Sequence, residues 1–466
     1  MGCYTYENEY RLLELVSSSK PVKSSKCQLS FLFIGSAFAI AAAEPVSFVR
    51  QIAPILREKC VTCHGPEKAK AEFRLDTFEL LNKSGSSKTA PLQPGAPEKS
   101  HLYELITASD PDDRMPQKDD PLPKEQVALI ERWIREGTKF DGPDPKAGLA
   151  SLAGLVDQPP APQFYSVPAP ITALAFHPTE KELAVSGYHE IMIWGTDTGA
   201  LLRRITNVAQ RTVGLAYNQD GSVLAAASGT PGRDGEAKLF DAKTCARLST
   251  LITTPDVMLS VSFSPDSSRL VCAGTDNIIR IFDVASGKLQ LTIEQHADWV
   301  TAVAFSPNAS NIVSASRDKT VRVFDAATGE LDTTYTGHTE GVFAAAFGID
   351  GKQVLSGGRD KKIHVWEIKD AKKVTEVGLD AEVQRIVLST NGLFVAAENV
   401  VRQYGPKHES IRTFSGHSDL IYSLSIHDGS GQLASGSYDG EVRIWNVRDG
   451  SLVRKFTAAP LRLSSK

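Results

Sequence analysis

The chain has 466 residues, 41% of them hydrophobic and 23% charged, the composition of an ordinary globular protein with room for two or three domains. A formal net charge of -4, with no run of five or six basic residues, gives no general pull toward phosphate backbones or anionic lipid. Nucleic acid is therefore excluded as an expected partner.

Lys20, Lys23 and Lys26 precede an apolar run from Leu29 to Ala43, and Ala41-Ala42-Ala43 before Glu44 gives the small-x-small pattern of a signal peptidase site. The run is shorter than the roughly 20 residues that span a bilayer. Residues 1–43 are thus expected to be a leader removed on export, leaving no membrane span and a periplasmic mature chain; a retained anchor is the alternative. Glu7, Glu9 and Glu14 do not fit the basic start of a leader, which places its working start after them.

A first folded domain is expected over residues 44–140. Phe48, Ile52 and Ile55 stand at helical spacing within Ser47 to Leu56, and this helix leads into Cys60-Val61-Thr62-Cys63-His64. The pattern C-x-x-C-H reads as covalent attachment of c-type haem: each thiol adds to one vinyl group and the adjacent imidazole faces the iron. Cys60 and Cys63 are the expected tethers and His64 the proximal ligand. A zinc half-site would need a second pair of ligands nearby and a redox dithiol a βαβ setting. Neither is present, because Cys3, Cys27, Cys245 and Cys272 are scattered singly. A second helix is expected over Lys124 to Ile134, with Val127, Ile130 and Ile134 on one face, Pro123 near its start and Gly137 at its end. The glycine-, proline- and serine-rich stretch between leaves the domain short of core, and a covalent haem, one per chain, would supply an apolar centre.

Methionine is the soft neutral sixth ligand that raises a haem's potential for electron transfer. Of four methionines, Met115 is the one inside this domain away from the chain start, and it is the expected distal ligand, with His101 as the alternative. Arg74 and Arg114 are candidate partners for the haem propionates; solvated surface positions are their other reading. Phe48, Ile52-Ala53-Pro54-Ile55-Leu56, Cys60-Val61-Thr62-Cys63-His64-Gly65-Pro66, Phe73-Arg74-Leu75-Asp76, Asp113-Arg114-Met115-Pro116 and Arg132-Trp133-Ile134 together resemble the planctomycete-type cytochrome c domain family across nearly all of residues 46–140. The resemblance implies haem c on Cys60, Cys63 and His64, with Met115 in the family's arginine-methionine-proline segment. Ala71-Glu72 stands where glycines are usual and Gln117 where a second proline is usual, which touches local loop shape.

Residues 141–164 are expected to be a linker: from Asp141 to Pro170 there are seven prolines and few apolar residues. The sequence leaves open whether this tether is extended or packs along the second domain. From 165 to 459 the chain repeats. Trp194, Phe240, Phe282, Phe324, Trp366, Tyr404 and Trp445 are spaced by 46, 42, 42, 42, 38 and 41 residues, each closing a short alternating strand. Seven units of this period resemble WD40 blades. Phe282-Asp283, Phe324-Asp325 and Trp366-Glu367 take the dipeptide position, Gly337-His338 and Gly416-His417 the glycine-histidine position, and Asp276, Asp318, Asp360 and Asp439 the tight turn. In that family such residues cement each blade. The sixth unit, Glu382 to Phe414, lacks both turn aspartate and dipeptide and is expected to be the most irregular.

The expected protein is multidomain: a small, mainly α c-type cytochrome domain followed by an all-β seven-bladed propeller. Its expected function is electron transfer with an unidentified redox partner protein, the propeller serving as a docking scaffold. It reads as an electron carrier more than as a catalyst. The alternative is a periplasmic oxidoreductase or haem sensor whose propeller binds a substrate or second cofactor.

Overall fold

The computed structural model describes residues 45–66, 68–117, 120–142, 144–149, 152 and 158–460. The expected leader and its cut after Ala43 lie outside the described residues.

The N-terminal part is helical. A wide helical turn over Phe48–Ile52, capped by the Ser47 hydroxyl accepting from Arg50 N–H at 3.0 Å, runs into α1 (Ala53–Lys59). Pro54 sits in the first turn of α1, where no backbone N–H is needed. After Cys60 come α2 (Val61–His64), α3 (Phe78–Leu81), α4 (His101–Thr107) and α5 (Lys124–Arg135). Both helices expected from periodicity form, and Gly137 follows α5 at φ +96°, a conformation that closes a helix without a Cβ penalty.

Phe48, Ile52 and Leu56 bury their side chains against Ile130, Trp133 and Ile134 of α5. Each contributes ~1.5–3 kcal/mol by leaving water. Phe48 lies 5.4 Å from the Trp133 ring and 4.9 Å from Phe78, and the Trp133 indole N–H donates to Lys139 O at 2.9 Å. Two backbone-to-carboxylate bonds, Val46 N–H to Glu136 at 2.6 Å and Val49 N–H to Asp141 at 2.9 Å, tie the start of this region to the end of α5. Leu149 and Leu152, past residue 140, are buried in the same core.

From Leu174 to Thr457 the chain forms seven four-stranded antiparallel sheets, each built from four consecutive strands. All seven repeat aromatics fall on the third strand of their blade. Between each pair of neighbouring blades lies a separate apolar cluster. The one joining the last blade to the first packs Ile444 and Val442 with Leu183, Val185 and Trp194. The ring is thus closed by side-chain packing and not by a shared strand. Hydroxyls on the innermost strands add cross-blade bonds: Thr301 Oγ1–H to Val342 O at 2.7 Å, and Ser423 Oγ–H to Ile171 O at 3.3 Å. From Gln158 onward the linker packs along the propeller. Gln158 N–H donates to Asn207 at 2.7 Å, and Tyr165 is buried with its hydroxyl on Glu190 at 2.7 Å.

The blade cement forms in three blades. In the fifth, Trp366 Nε1–H donates to Ser356 Oγ at 3.3 Å, Ser356 lies 2.8 Å from His338 Nε2, and His338 Nδ1 lies 2.8 Å from Asp360. Ser435, His417, Asp439 and Trp445 repeat this in the seventh. The fourth has it too, through His296, Ser314 and Asp318, although Gln295 replaces the expected glycine and Phe324 the tryptophan. The sixth blade keeps its four strands despite losing the turn aspartate, with bulges at Val383/Arg385 and Gln403/Tyr404 that the fifth and seventh blades carry at the same places. Its irregularity is confined to the missing cement, because alternating burial suffices to set strand register.

His364 lies beside this cement, its ring stacked 4.2 Å from that of His338 and its Nδ1 2.7 Å from the Tyr335 hydroxyl. Burial, with His338 adding to it, holds its pKa at about 4, below the ordinary 6.5. Because the folded pKa is depressed, the unfolded chain takes the proton first; the neutral ring's contribution is complete above pH 6.5 and is lost as pH falls toward 4. The melting temperature should therefore fall between pH 7 and about 4.5, and His364→Phe, though less stable at pH 7, should show a shallower fall over that window.

Candidate functional site

Cys60 N–H bonds Leu56 O at 2.9 Å and His64 N–H bonds Cys60 O at 3.0 Å, so a helical path continues through the junction of α1 and α2. On that path residues three apart share a face, which brings the Cys60 and Cys63 thiols to one side. The chain then turns back, and Leu75 N–H donates to His64 O at 2.9 Å. This return lays the Phe73 carbonyl 3.1 Å from His64 Nδ1. A neutral imidazole donating there keeps its proton on Nδ1 and leaves Nε2 with a free lone pair, the arrangement of a metal-ligating histidine.

The turn that makes this possible is strained. Ala71 and Glu72 take φ of +53° and +55°, the left-handed region where glycine costs least, and these are the two positions at which the resemblance leads one to expect glycines. Gly85 packs on the same turn: a Cβ there would stand 2.4 Å from Ala71 O, and Ser86 N–H donates to that oxygen at 2.8 Å.

The opposite wall is α4. His101, Leu102, Leu105 and Ile106 line one cavity with Cys60, Cys63 and His64. Met115 reaches the same cavity because its N–H is bound to Leu105 O at 3.0 Å. The cavity holds about 1000 Å³ out to its mouth and is walled mostly by carbon. Burial pushes the Cys60 thiol up to about 12, with Cys63 beside it adding to the shift. Two thiols on one face, an imidazole with Nε2 unspent, a thioether and apolar walls fit a c-type haem in donor chemistry and in shape.

Arg74 and Arg114 are not among the residues lining the cavity. The Arg74 guanidinium grips Asp76 through two bonds of 2.9 and 2.8 Å. Lys59 and Lys70 are the cations in the wall, and sequence reasoning passed over both. It also passed over the α4 lining, which the spacing of Leu102, Leu105 and Ile106 would have revealed. No sequence signal marks the Phe73 carbonyl. Two groups in the propeller have metal-ligand composition, His338/Asp360/His364 and His417/Asp439/Glu441. His338 spends both ring nitrogens on Asp360 and Ser356 and His364 Nδ1 lies 2.7 Å from the Tyr335 hydroxyl, while Glu441 is paired with Arg443 at 2.7 Å. His177, His189 and His427 bond backbone carbonyls.

A helical domain folded around a C-x-x-C-H cavity and followed by a seven-bladed propeller defines the class. Residues 60–119 match the family model described as Planctomycete cytochrome C, and residues 247–283, 287–325, 329–367 and 408–446 match that of the WD domain, G-beta repeat. The chain therefore carries a cytochrome c domain of the planctomycete type and a WD40 propeller, a haem-binding part and a protein-interaction part. It is 32% identical over 82 residues, 16% of its length and 26% of the other's, to the target of rapamycin complex subunit wat1 of Schizosaccharomyces pombe. Over 39 residues, 8% of each chain, it is 44% identical to the U3 snoRNP-associated protein-like EMB2271 of Arabidopsis thaliana. The chain thus spans about a quarter of the first relative and under a tenth of the second. Among the described residues no helix is long and apolar enough to cross a membrane.

The cavity wall generates two expected outcomes. Ala71→Gly and Glu72→Gly should each raise stability by ~0.5–1 kcal/mol in urea unfolding, the relief of left-handed strain less the entropy glycine adds to the unfolded chain. In protein made without haem, alkylation of Cys60 at neutral pH should be at least roughly tenfold slower than in urea, read by mass spectrometry of the labelled peptide.

Proposed function

We propose that this protein is an exported monohaem cytochrome that transfers electrons, with its propeller as the docking unit for a redox partner. The observation that carries this reading is His64, its Nδ1 engaged by the Phe73 carbonyl, in a cavity that also holds both thiols and Met115. A haem bound there would supply one-electron exchange at its iron. Cys60 and Cys63 would tether it, His64 Nε2 and Met115 Sδ would serve as the axial donors, and α4 would keep water from the distal side. Lys59 and Lys70 would balance its carboxylates. A donor set completed by a thioether as well as an imidazole would favour electron exchange over small-molecule activation. By their names one relative is a complex subunit and the other is associated with a ribonucleoprotein, which supports an interaction role for repeats of this type.

The test is the exported protein itself. One haem per chain should resist extraction by acidified organic solvent, and the mature chain should begin at Glu44. Met115→Ala should abolish the methionine-to-iron charge-transfer band while leaving haem attached, and His101→Ala should leave that band intact. Survival of the band in Met115→Ala, with its loss in His101→Ala, would reassign the distal ligand.

A further inference from the structure

The innermost strands of the propeller pair with their neighbours in one shared register. Gly214 stands opposite Ala227, Ser260 opposite Ala273, Ala302 opposite Ala315, Ala344 opposite Gly357 and Ser423 opposite Gly436. In the first blade Ala173 takes this level, its carbonyl accepting from Ser186 N–H at 3.0 Å. All six are small, as the convergence of seven strands on a central channel requires. The sixth blade places Arg385 there, opposite Ala396. It lines the same channel, which has about 600 Å³ of open space.

Among the described residues no carboxylate pairs with Arg385; its Nη1–H donates at 3.3 Å to the carbonyl of Gln384, its own neighbour in sequence. Loss of water around it lowers its pKa, and no acidic group offsets that loss. The channel hydroxyls of Thr301 and Ser423 are already spent on neighbouring blades. Half-buried in the channel, this guanidinium has given up part of its water without gaining an opposite charge from the chain. Packing alone would be served by alanine or serine, as the other blades show.

We propose that the central channel is a binding site for a carboxylate, anchored by Arg385. The paired N–H groups of a guanidinium match the two oxygens of a carboxylate, such as a small organic acid or a chain end presents. The exposed lining of the channel is mostly polar, which suits a short polar acid. A free organic acid and the carboxyl terminus of a partner polypeptide present the same group. The site stands independently of the electron-transfer reading.

The test uses the full-length holoprotein with succinate as probe, followed by calorimetric titration and thermal melting. Binding should be saturable at one site and should weaken with salt. Arg385→Ala should bind at least ~10-fold more weakly, and Arg385→Lys should fall between. Without ligand, Arg385→Ala should melt no lower than the wild type, because an unpaired charge has been removed. The haem spectrum should be unchanged throughout. A short peptide with a free carboxyl terminus that displaces succinate, where its amidated form does not, would make a chain end the natural occupant; a peptide without effect would make it a free acid. Absence of saturable binding by both probes, equal binding to Arg385→Ala, or a lower melting temperature for ligand-free Arg385→Ala would overturn the proposal.

Discussion

A histidine with one ring nitrogen held by a backbone carbonyl has only the other to offer. In this protein the bond from His64 Nδ1 to Phe73 O settles which one, and the architecture of the first domain follows from it. The carbonyl is in place only if the chain reverses within a few residues of His64, which forces Ala71 and Glu72 into left-handed geometry. The reversal in turn requires a glycine at 85, since the loop that buttresses it passes within van der Waals limits of Ala71 O. A local cost of ~1–2 kcal/mol per strained residue is thus carried for the orientation of one ring.

The core of that domain is one-sided. Phe48, Trp133 and the apolar faces of α1 and α5 pack closely on each other, while α4 and the C-x-x-C-H segment face a cavity. Such a domain is stable enough to hold its walls in place yet leaves their inner surface unsatisfied, which is the energetic condition for binding a large apolar group tightly. The wall is also the place where Met115 is fixed by its backbone, through Leu105, so the thioether's position does not rest on side-chain packing alone.

How much of this was legible depended on whether a signal sits in side chains or in backbone. The seven aromatics at near-constant spacing announced the propeller, because each buried ring must fall on the same strand of its blade. The C-x-x-C-H motif announced the site, because the chemistry demands those residue types. His296 reads from the sequence only as a structural or surface histidine, since the cement is recognised through its glycine and Gln295 stands there; what matters physically is the distance from imidazole to turn aspartate, 2.8 Å in that blade as in the fifth. The pairing of Arg74 with Asp76, two residues on, could not be read from the sequence, because spacing does not reveal that the two side chains close on each other. The Phe73 carbonyl was beyond reach, as every residue has one. The departure at Ala71-Glu72 was visible as an exception and proves to be a conformational one.

The propeller draws two cations inward, Lys238 fully buried and Arg385 half-buried, and the contrast between them bears on what its channel is for. Lys238 has a fully buried side chain, and burial lowers its pKa, yet it lies 2.7 Å from Glu236 and donates to Asn207 O at 2.8 Å. Gln158, at the end of the linker, adds a bond of 3.2 Å to the same glutamate, so the linker is fastened where the charge pair is. This is how the fold behaves when it needs a buried charge for structure: it supplies an opposite charge and satisfies the remaining donors. Arg385 receives neither, although glycine, alanine or serine occupies its level in the other blades. A scaffold that pairs one cation so completely and leaves another open toward a channel has kept the second cation's binding capacity for a group from outside the chain.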